Sequence, residues 1–200
     1  MNEIRSIEEL EEIYGGVNVS ALKKETLQLT TQYRQWIEKS QFFSIASHGP
    51  EGMDCSPRGD ASGQLFKILD DRTIAIPDRR GNNRLDTLRN IIFDSHVALL
   101  FFITGVNETM RINGKATIST DPELIADFSI NNTKPKAVII VKIDAVYFQC
   151  ARALARAKLW TEKTPIDVPT AGQMIKSATP EFDAETYDAE LKDRQVKTLY

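Results

Sequence analysis

Between Gln41 and Cys150 the chain is a succession of strand-length runs separated by short turns, and this limits the folds open to it. "QFFSIASHGPEGMDCSPRGD" reads as strand, Gly-Pro-Glu-Gly turn and strand, a hairpin from Gln41 to about Asp60. "QLFKILDDRTIAIP" is a second hairpin, turning at Asp70-Asp71. A loop and a helix follow, with Leu85, Leu88 and Ile92 as the expected buried stripe. "HVALLFFI" is a near-continuous apolar run of strand length, and "TGVN" turns it into "ETMRINGKATIST". There Met110 and Ile112, then Ala116 and Ile118 after an irregularity at Asn113-Gly114, alternate with polar residues. Asp121 caps a brief helix, "PELIADF", and "KAVIIVKIDAVYFQC" is a last long strand kinked near Asp144. The count is about six strands, one short helix after the fourth, and mostly tight antiparallel connections. Such a chain favours a small six-stranded antiparallel barrel with flanking helices, mainly β within the α+β class, over an alternating βαβ sheet.

The flanks are helical. Ser6 to Glu9 is a capping box that opens a short helix, and Gly15-Gly16 stops it. A longer helix carries Leu29, Tyr33, Trp36 and Ile37 on one face. After Trp160 the chain turns polar, with "TEKTPIDVPT" as a loop and two weak helices beyond it. Two hundred residues support one domain with a sizeable core. The expected organisation is a helical segment over 1–40 packed on a barrel over 41–160, with a tail over 161–200.

With 42% hydrophobic and 26% charged residues the chain is an ordinary globular one, and its net charge of −3 argues against bulk binding of nucleic acid. No apolar run approaches the roughly 18 residues that cross a bilayer. The acidic start "MNEIRSIEELEEIYGG" lacks the order of a signal peptide, so the expectation is a cytoplasmic protein with no membrane partner. Cys55 and Cys150 form neither a metal spacing nor a disulfide framework. His48 and His96 read as a turn-side and a strand-start residue, and no metal site is expected. Neither a nucleophile elbow nor a P-loop is present. With side chains for covalent or acid–base work so scarce, difficult chemistry would come from a cofactor.

Four stretches could carry a ligand. In "IPDRRGNNRLDTLRNII" a strand leads through Arg79-Arg80-Gly81-Asn82-Asn83 into a helix. With Asn83 as N-cap and Asp86 three residues on, Arg84 falls at the first helical position, where a cation is unfavourable unless an anion is bound. The loop is therefore either a solvated basic turn or a phosphate site. "SPRGD", Ser56 to Asp60, puts Pro57 where only an edge strand or bulge tolerates it. That edge either presents its backbone to a flat ligand, with Arg58 beside it, or is simply blunted against aggregation. Arg111 sits inside an alternating strand and either meets solvent or answers an anion; Glu108, three residues earlier, lies on the opposite face. In "CARALARAKLW", Arg152 and Arg156 share a helical face near Lys158.

Together "SPRGD", "IPDRRGNNRLDTLRNI", "LLFFITGVNETMRINGKA" and "CARALARAKLW" resemble the pyridoxamine 5′-phosphate oxidase-related FMN-binding proteins. Within them the match is to a subgroup of FMN-dependent enzymes whose substrate is unassigned, and it spans about Phe42 to Trp160. The resemblance implies an FMN-binding split β-barrel, a homodimer with two flavin sites at the interface, and an oxidoreductase acting on a small molecule. It places Ser56, Pro57 and Arg58 along the flavin ring and ribityl chain, and Asp78, Arg79, Asn83 and Arg84 on the ribityl and phosphate groups. Asn107, Glu108 and Arg111 would approach from the strand after the "FFITG" turn. Arg152, Lys158 and Trp160 would close over the cofactor across the dimer. Thr104 stands where proline is usual and Gln149 where histidine is common. The arginine-plus-histidine clamp of the vitamin B6 oxidases is not evident, so that reaction is not assigned. Two alternatives stay open: a flavin-binding carrier or sensor without turnover, and haem or a deazaflavin in the same barrel.

Overall fold

A computed structural model describes residues 3–17, 22–61, 63–161 and 167–199. Its centre is one antiparallel sheet in the order β2-β1-β5-β6-β7-β4-β3. The strands are β1 (Phe42–Gly49), β2 (Gly52–Gly59), β3 (Lys67–Asp70), β4 (Thr73–Pro77), β5 (His96–Phe102), β6 (Thr109–Ser119) and β7 (Val138–Gln149). The sheet is open, with β2 and β3 as edges, and has the mainly β, helix-flanked architecture of a split barrel. Among the described residues there are seven strands rather than about six, which is what the two hairpins and three single runs of the sequence add up to.

The turns follow local chemistry. Gly52 closes the first hairpin at φ +115°, a conformation that favours glycine. In the second, the Asp70 side chain accepts from the Arg72 N–H at 2.7 Å, so the turn falls on Asp71-Arg72, one residue later than expected. Pro57 does lie on an edge strand. The irregularity at Asn113-Gly114 and the kink at Asp144 are one β-bulge: Asn113 pairs with Ala145 and Gly114 with Ile143, leaving Asp144 extra.

Alternation sorts the two faces. Phe43, Ile45, Val97, Leu99, Phe101, Met110, Ile112 and Val146 point into the core. Helix α2 (Thr31–Ile37), capped by the Thr30 side chain on the Tyr33 N–H, adds Ile37 and packs Tyr33 and Trp36 against it; buried Leu29 lies just before the helix. Helix α3 (Asp86–Phe93) packs on β1 and β2, and α4 (Pro122–Ala126), capped by Asp121, covers Phe128 and Val138.

At the other ends, α1 (Ile7–Tyr14) starts at Ser6 and stops at Gly15, φ +69°. The Glu9 carboxylate reaches the Arg5 N–H rather than that of the cap. After α5 (Arg152–Ala157), the tail forms α6 (Ala171–Ala178) and α7 (Ala184–Lys197). They are joined where Asp188 accepts from the Thr170 hydroxyl and, at 2.7 Å, from the Gly172 N–H. Part of the loop expected between Thr161 and Thr170 lies outside the described residues.

The start of α3 differs from the sequence reading twice. Asp86 is the first helical residue, and its cap is Leu85, left-handed at φ +63° with no side-chain bond. Asn83 is itself left-handed, φ +57°, which asparagine tolerates, so it stands two residues before the cap and Arg84 one before. The side-chain acceptor comes instead from Asn82, to the Arg84 N–H at 3.0 Å. Second, Leu85, Leu88 and Ile92 are not the buried stripe. Thr87, Asn90 and Ile91 are buried and Leu88 is half-buried against the core, whereas Leu85 and Ile92 face outward.

Candidate functional site

The β2 edge, the Asp78–Leu85 loop and α3 enclose a cleft of about 910 Å³. The loop leaves β4 as Asp78, whose N–H donates to the Ala137 carbonyl at 2.9 Å. Arg79 then ties it down: Nε donates to Asp60 at 2.8 Å, Nη1 to the Phe128 carbonyl at 2.5 Å and Nη2 to the Gln64 carbonyl at 3.4 Å. Beyond this anchor Gly81, Asn82, Asn83 and Arg84 arch over the cleft. Arg84 is 78% exposed at the mouth, its Nε on Asp86 at 2.5 Å.

Period-2 alternation along β2 directs Asp54, Ser56 and Arg58 toward α3, and Cys55 and Pro57 to the other face. Asp54 accepts from the Ser56 hydroxyl at 3.0 Å and from the Thr87 hydroxyl at 2.5 Å. Since a carboxylate only accepts, both hydroxyls spend their protons on Asp54 and keep lone pairs for a further donor. Asn90 fixes the helix above this group by donating to the Ser47 hydroxyl at 3.2 Å and the Gly52 carbonyl at 3.4 Å. Arg58 is less satisfied. Its Nη1 lies 3.7 Å from the Asp78 carboxylate, beyond hydrogen-bond length, and its buried Nε has no acceptor among the described residues. Burial raises the Asp78 carboxyl above its usual range, against the opposing charges of Arg58 and Lys136.

Ser56, Arg58, Asp78, Arg79, Asn83 and Arg84 thus meet around one cleft, and Pro57 backs onto it from the outer face. Asn107, Glu108, Arg111, Arg152, Lys158 and Trp160 do not line it. Arg111 stacks over the Tyr147 ring, 5.6 Å to its centroid, and donates to its hydroxyl at 3.1 Å. With the Gln149 amide turned so that oxygen faces the guanidinium, Nη2 reaches it at 2.8 Å. Trp160 Nε1 donates to the Val106 carbonyl at 2.7 Å, tying the end of α5 to the turn that carries Asn107 and Glu108. Arg152 and Lys158 are exposed.

Pro57 and Arg111 share the outer sheet face. Through the strand registers, Pro57, Ser44, Leu100, Arg111 and Tyr147 form one row across five strands. The next row is Cys55, Ala46, Ala98, Asn113 and Ala145, all small. Asp54 and Thr87 are the cleft residues that sequence reasoning missed. Asp54 carried a signal, its spacing of two and four from Ser56 and Arg58; Thr87 carried none, since a polar residue on a buried helix face is invisible without the partner it meets.

Among the described residues no helix is long and apolar enough to cross a membrane. No curated protein sequence matches the chain. Solved structures similar to it include HupZ of Group A Streptococcus, 18% identical, covering 59% of this chain and 91% of that one with a TM-score of 0.47. A Lactobacillus delbrueckii protein provisionally described as a pyridoxamine 5′-phosphate oxidase is 19% identical, covering 61% and 95% with a TM-score of 0.48. General Stress Protein 26 of Bacillus anthracis is 15% identical, covering 57% and 88% with a TM-score of 0.44. The profile of the pyridoxamine 5′-phosphate oxidase family matches residues 29–150, which takes in all seven strands of the sheet and the whole cleft, and the chain belongs to that family.

Proposed function

We propose that the protein is an FMN-dependent oxidoreductase acting on a small molecule. Proteins of this family commonly bind FMN, include oxidases and are often dimers. The observation that carries the reading is the cleft's split of labour among arginines. Arg79 is committed to the protein and rigidifies the loop, while Arg84 at the mouth and the loosely paired Arg58 guanidinium line the cleft and remain for an anion and a carbonyl. The acceptor group of Asp54, Ser56 and Thr87 suits the hydroxyls of a ribityl chain.

On this reading residues 41–160 form the cofactor-binding unit. Ser56, Pro57 and Arg58 lie along the ring and ribityl chain, and Asp78, Arg79, Asn83 and Arg84 frame the ribityl and phosphate groups. A second copy of the chain, seated on the small-residue sheet face, brings Asn107, Glu108, Arg111, Arg152, Lys158 and Trp160 to the same flavin. When bound, FMN supplies hydride transfer at N5. The chain's part is to hold the phosphate by charge-assisted bonds, orient the ring against the β2 edge and keep water from its buried side.

The test is the spectrum of the purified protein. A yellow preparation that releases FMN on denaturation, and is reduced by a nicotinamide cofactor and then reoxidised, supports the reading. A colourless protein that ignores added FMN overturns it. Bound flavin that no reductant turns over assigns the chain to the binding proteins instead.

A further inference from the structure

Helix α3 is amphipathic the wrong way round. Two of its three buried residues, Thr87 and Asn90, are polar, whereas Ile92 is 79% and Phe93 63% exposed. At 100° per residue Leu85, Arg89 and Ile92 make one outer ridge with exposed Phe93 beside it, while Leu88 turns in against the core. Arg89, in the middle of the ridge, has no side-chain partner among the described residues.

Helix α1 has the matching deficiency. Ile7, Leu10, Ile13 and Tyr14 recur at helical spacing, Ile4 and Val17 extend the stripe, and all are exposed. No residue of the helix is buried. Its remaining positions are Glu8, Glu9, Glu11 and Glu12, with no basic residue. Anionic lipid would repel that row, so a membrane surface is a poor occupant.

We infer that α1 of one copy packs along the Leu85–Arg89–Ile92 ridge of a second copy, its glutamates facing Arg89 and the loop arginine Arg80. Three observations select this occupant. Each helix has eight residues, so both ridges run about 12 Å. The charges are opposite, acidic on α1 and basic around α3. The family is often dimeric, so a second copy is the neighbour at hand. The helix seated there also walls the mouth of the cleft; that consequence rests on the flavin reading, whereas the contact does not.

The test uses two full-length chains, Ile13→Cys and Ile92→Cys, each with Cys55→Ser and Cys150→Ser and its own affinity tag. They are co-expressed and treated with a short bis-maleimide. The expected product is a covalent pair containing one of each chain, absent when either cysteine is omitted. No such pair, or a chain that stays monomeric by light scattering, overturns the inference. So does an Ile13→Cys, Ile92→Cys double variant whose bridge closes within one chain by mass spectrometry. Both positions are exposed, and circular dichroism verifies that the variants fold. A colourless protein that cross-links refutes the flavin reading and keeps this contact; a flavin-loaded protein that does not cross-link refutes this contact and keeps the flavin.

Discussion

Arg79 donates from Nε to the Asp60 carboxylate at 2.8 Å, and that carboxylate is only 2% exposed. Five residues on, Arg84 pairs with Asp86 in the open. Two arginines of one loop are thus assigned different work by burial alone. Arg79→Ala would take the guanidinium away from a buried carboxylate and should cost about 3 kcal/mol of stability. Arg84→Ala should change stability by less than about 0.5 kcal/mol. It should weaken FMN binding by roughly 1.5–3 kcal/mol, the scale of a charged hydrogen bond. Urea denaturation and flavin titration of both variants check the split; equal stability losses would remove it.

The bulge makes a second demand. A Cβ on Gly114 would stand 2.2 Å from the Lys142 carbonyl oxygen and 3.1 Å from Val141 Cγ1. The nearer obstacle is backbone in the longest strand pair, which cannot yield alone. Gly114→Ala should destabilise by about 2–3 kcal/mol. Gly59→Ala, whose Cβ would meet nothing nearer than 3.5 Å, should be close to neutral. The urea midpoint should fall for the first variant only, with the slope unchanged.

What was legible in the sequence follows the range of the interactions. The hairpins showed themselves because turn residues and period-2 alternation are local, and the bulge because Asn113-Gly114 breaks that alternation. The start of α3 did not, because a left-handed leucine cap has no propensity signature. Leu85, Leu88 and Ile92 were expected as its buried stripe, yet only Leu88 packs against the core, because periodicity gives a face and never says what the face meets. The arginines of the loop looked alike for the same reason: Asp60 and the Phe128 carbonyl, which claim Arg79, are 19 and 49 residues away in sequence.

Asp78 gives a pH dependence with a definite sign. Burial raises its pKa above the usual 3.8, outweighing Arg58 and Lys136, so the folded state holds this proton more tightly than the unfolded one. Its contribution to stability is therefore greatest below the unfolded pKa and is lost as pH rises through the folded pKa. Asp78→Asn, which cannot ionise, should melt above the parent at neutral pH, and the two curves should converge as pH falls toward 3.8. A variant that melts below the parent at neutral pH would mean that attraction to Arg58 outweighs burial.

The last prediction concerns how α5 is held. Trp160 Nε1 donates to the Val106 carbonyl at 2.7 Å, and the Val106 N–H in turn closes the β5–β6 turn on Ile103 at 3.0 Å. This indole bond links the basic segment of Arg152 and Lys158 to the turn bearing Asn107 and Glu108. Trp160→Phe keeps most of the apolar surface and removes only the donor, so the loss should be about 1 kcal/mol. Its footprint should be local: amide exchange should quicken over residues 103–108 and 152–159, while β1, β2 and α3, which frame the cleft, stay protected. Faster exchange across the whole sheet would show that Trp160 supports the core rather than clipping α5 to the turn.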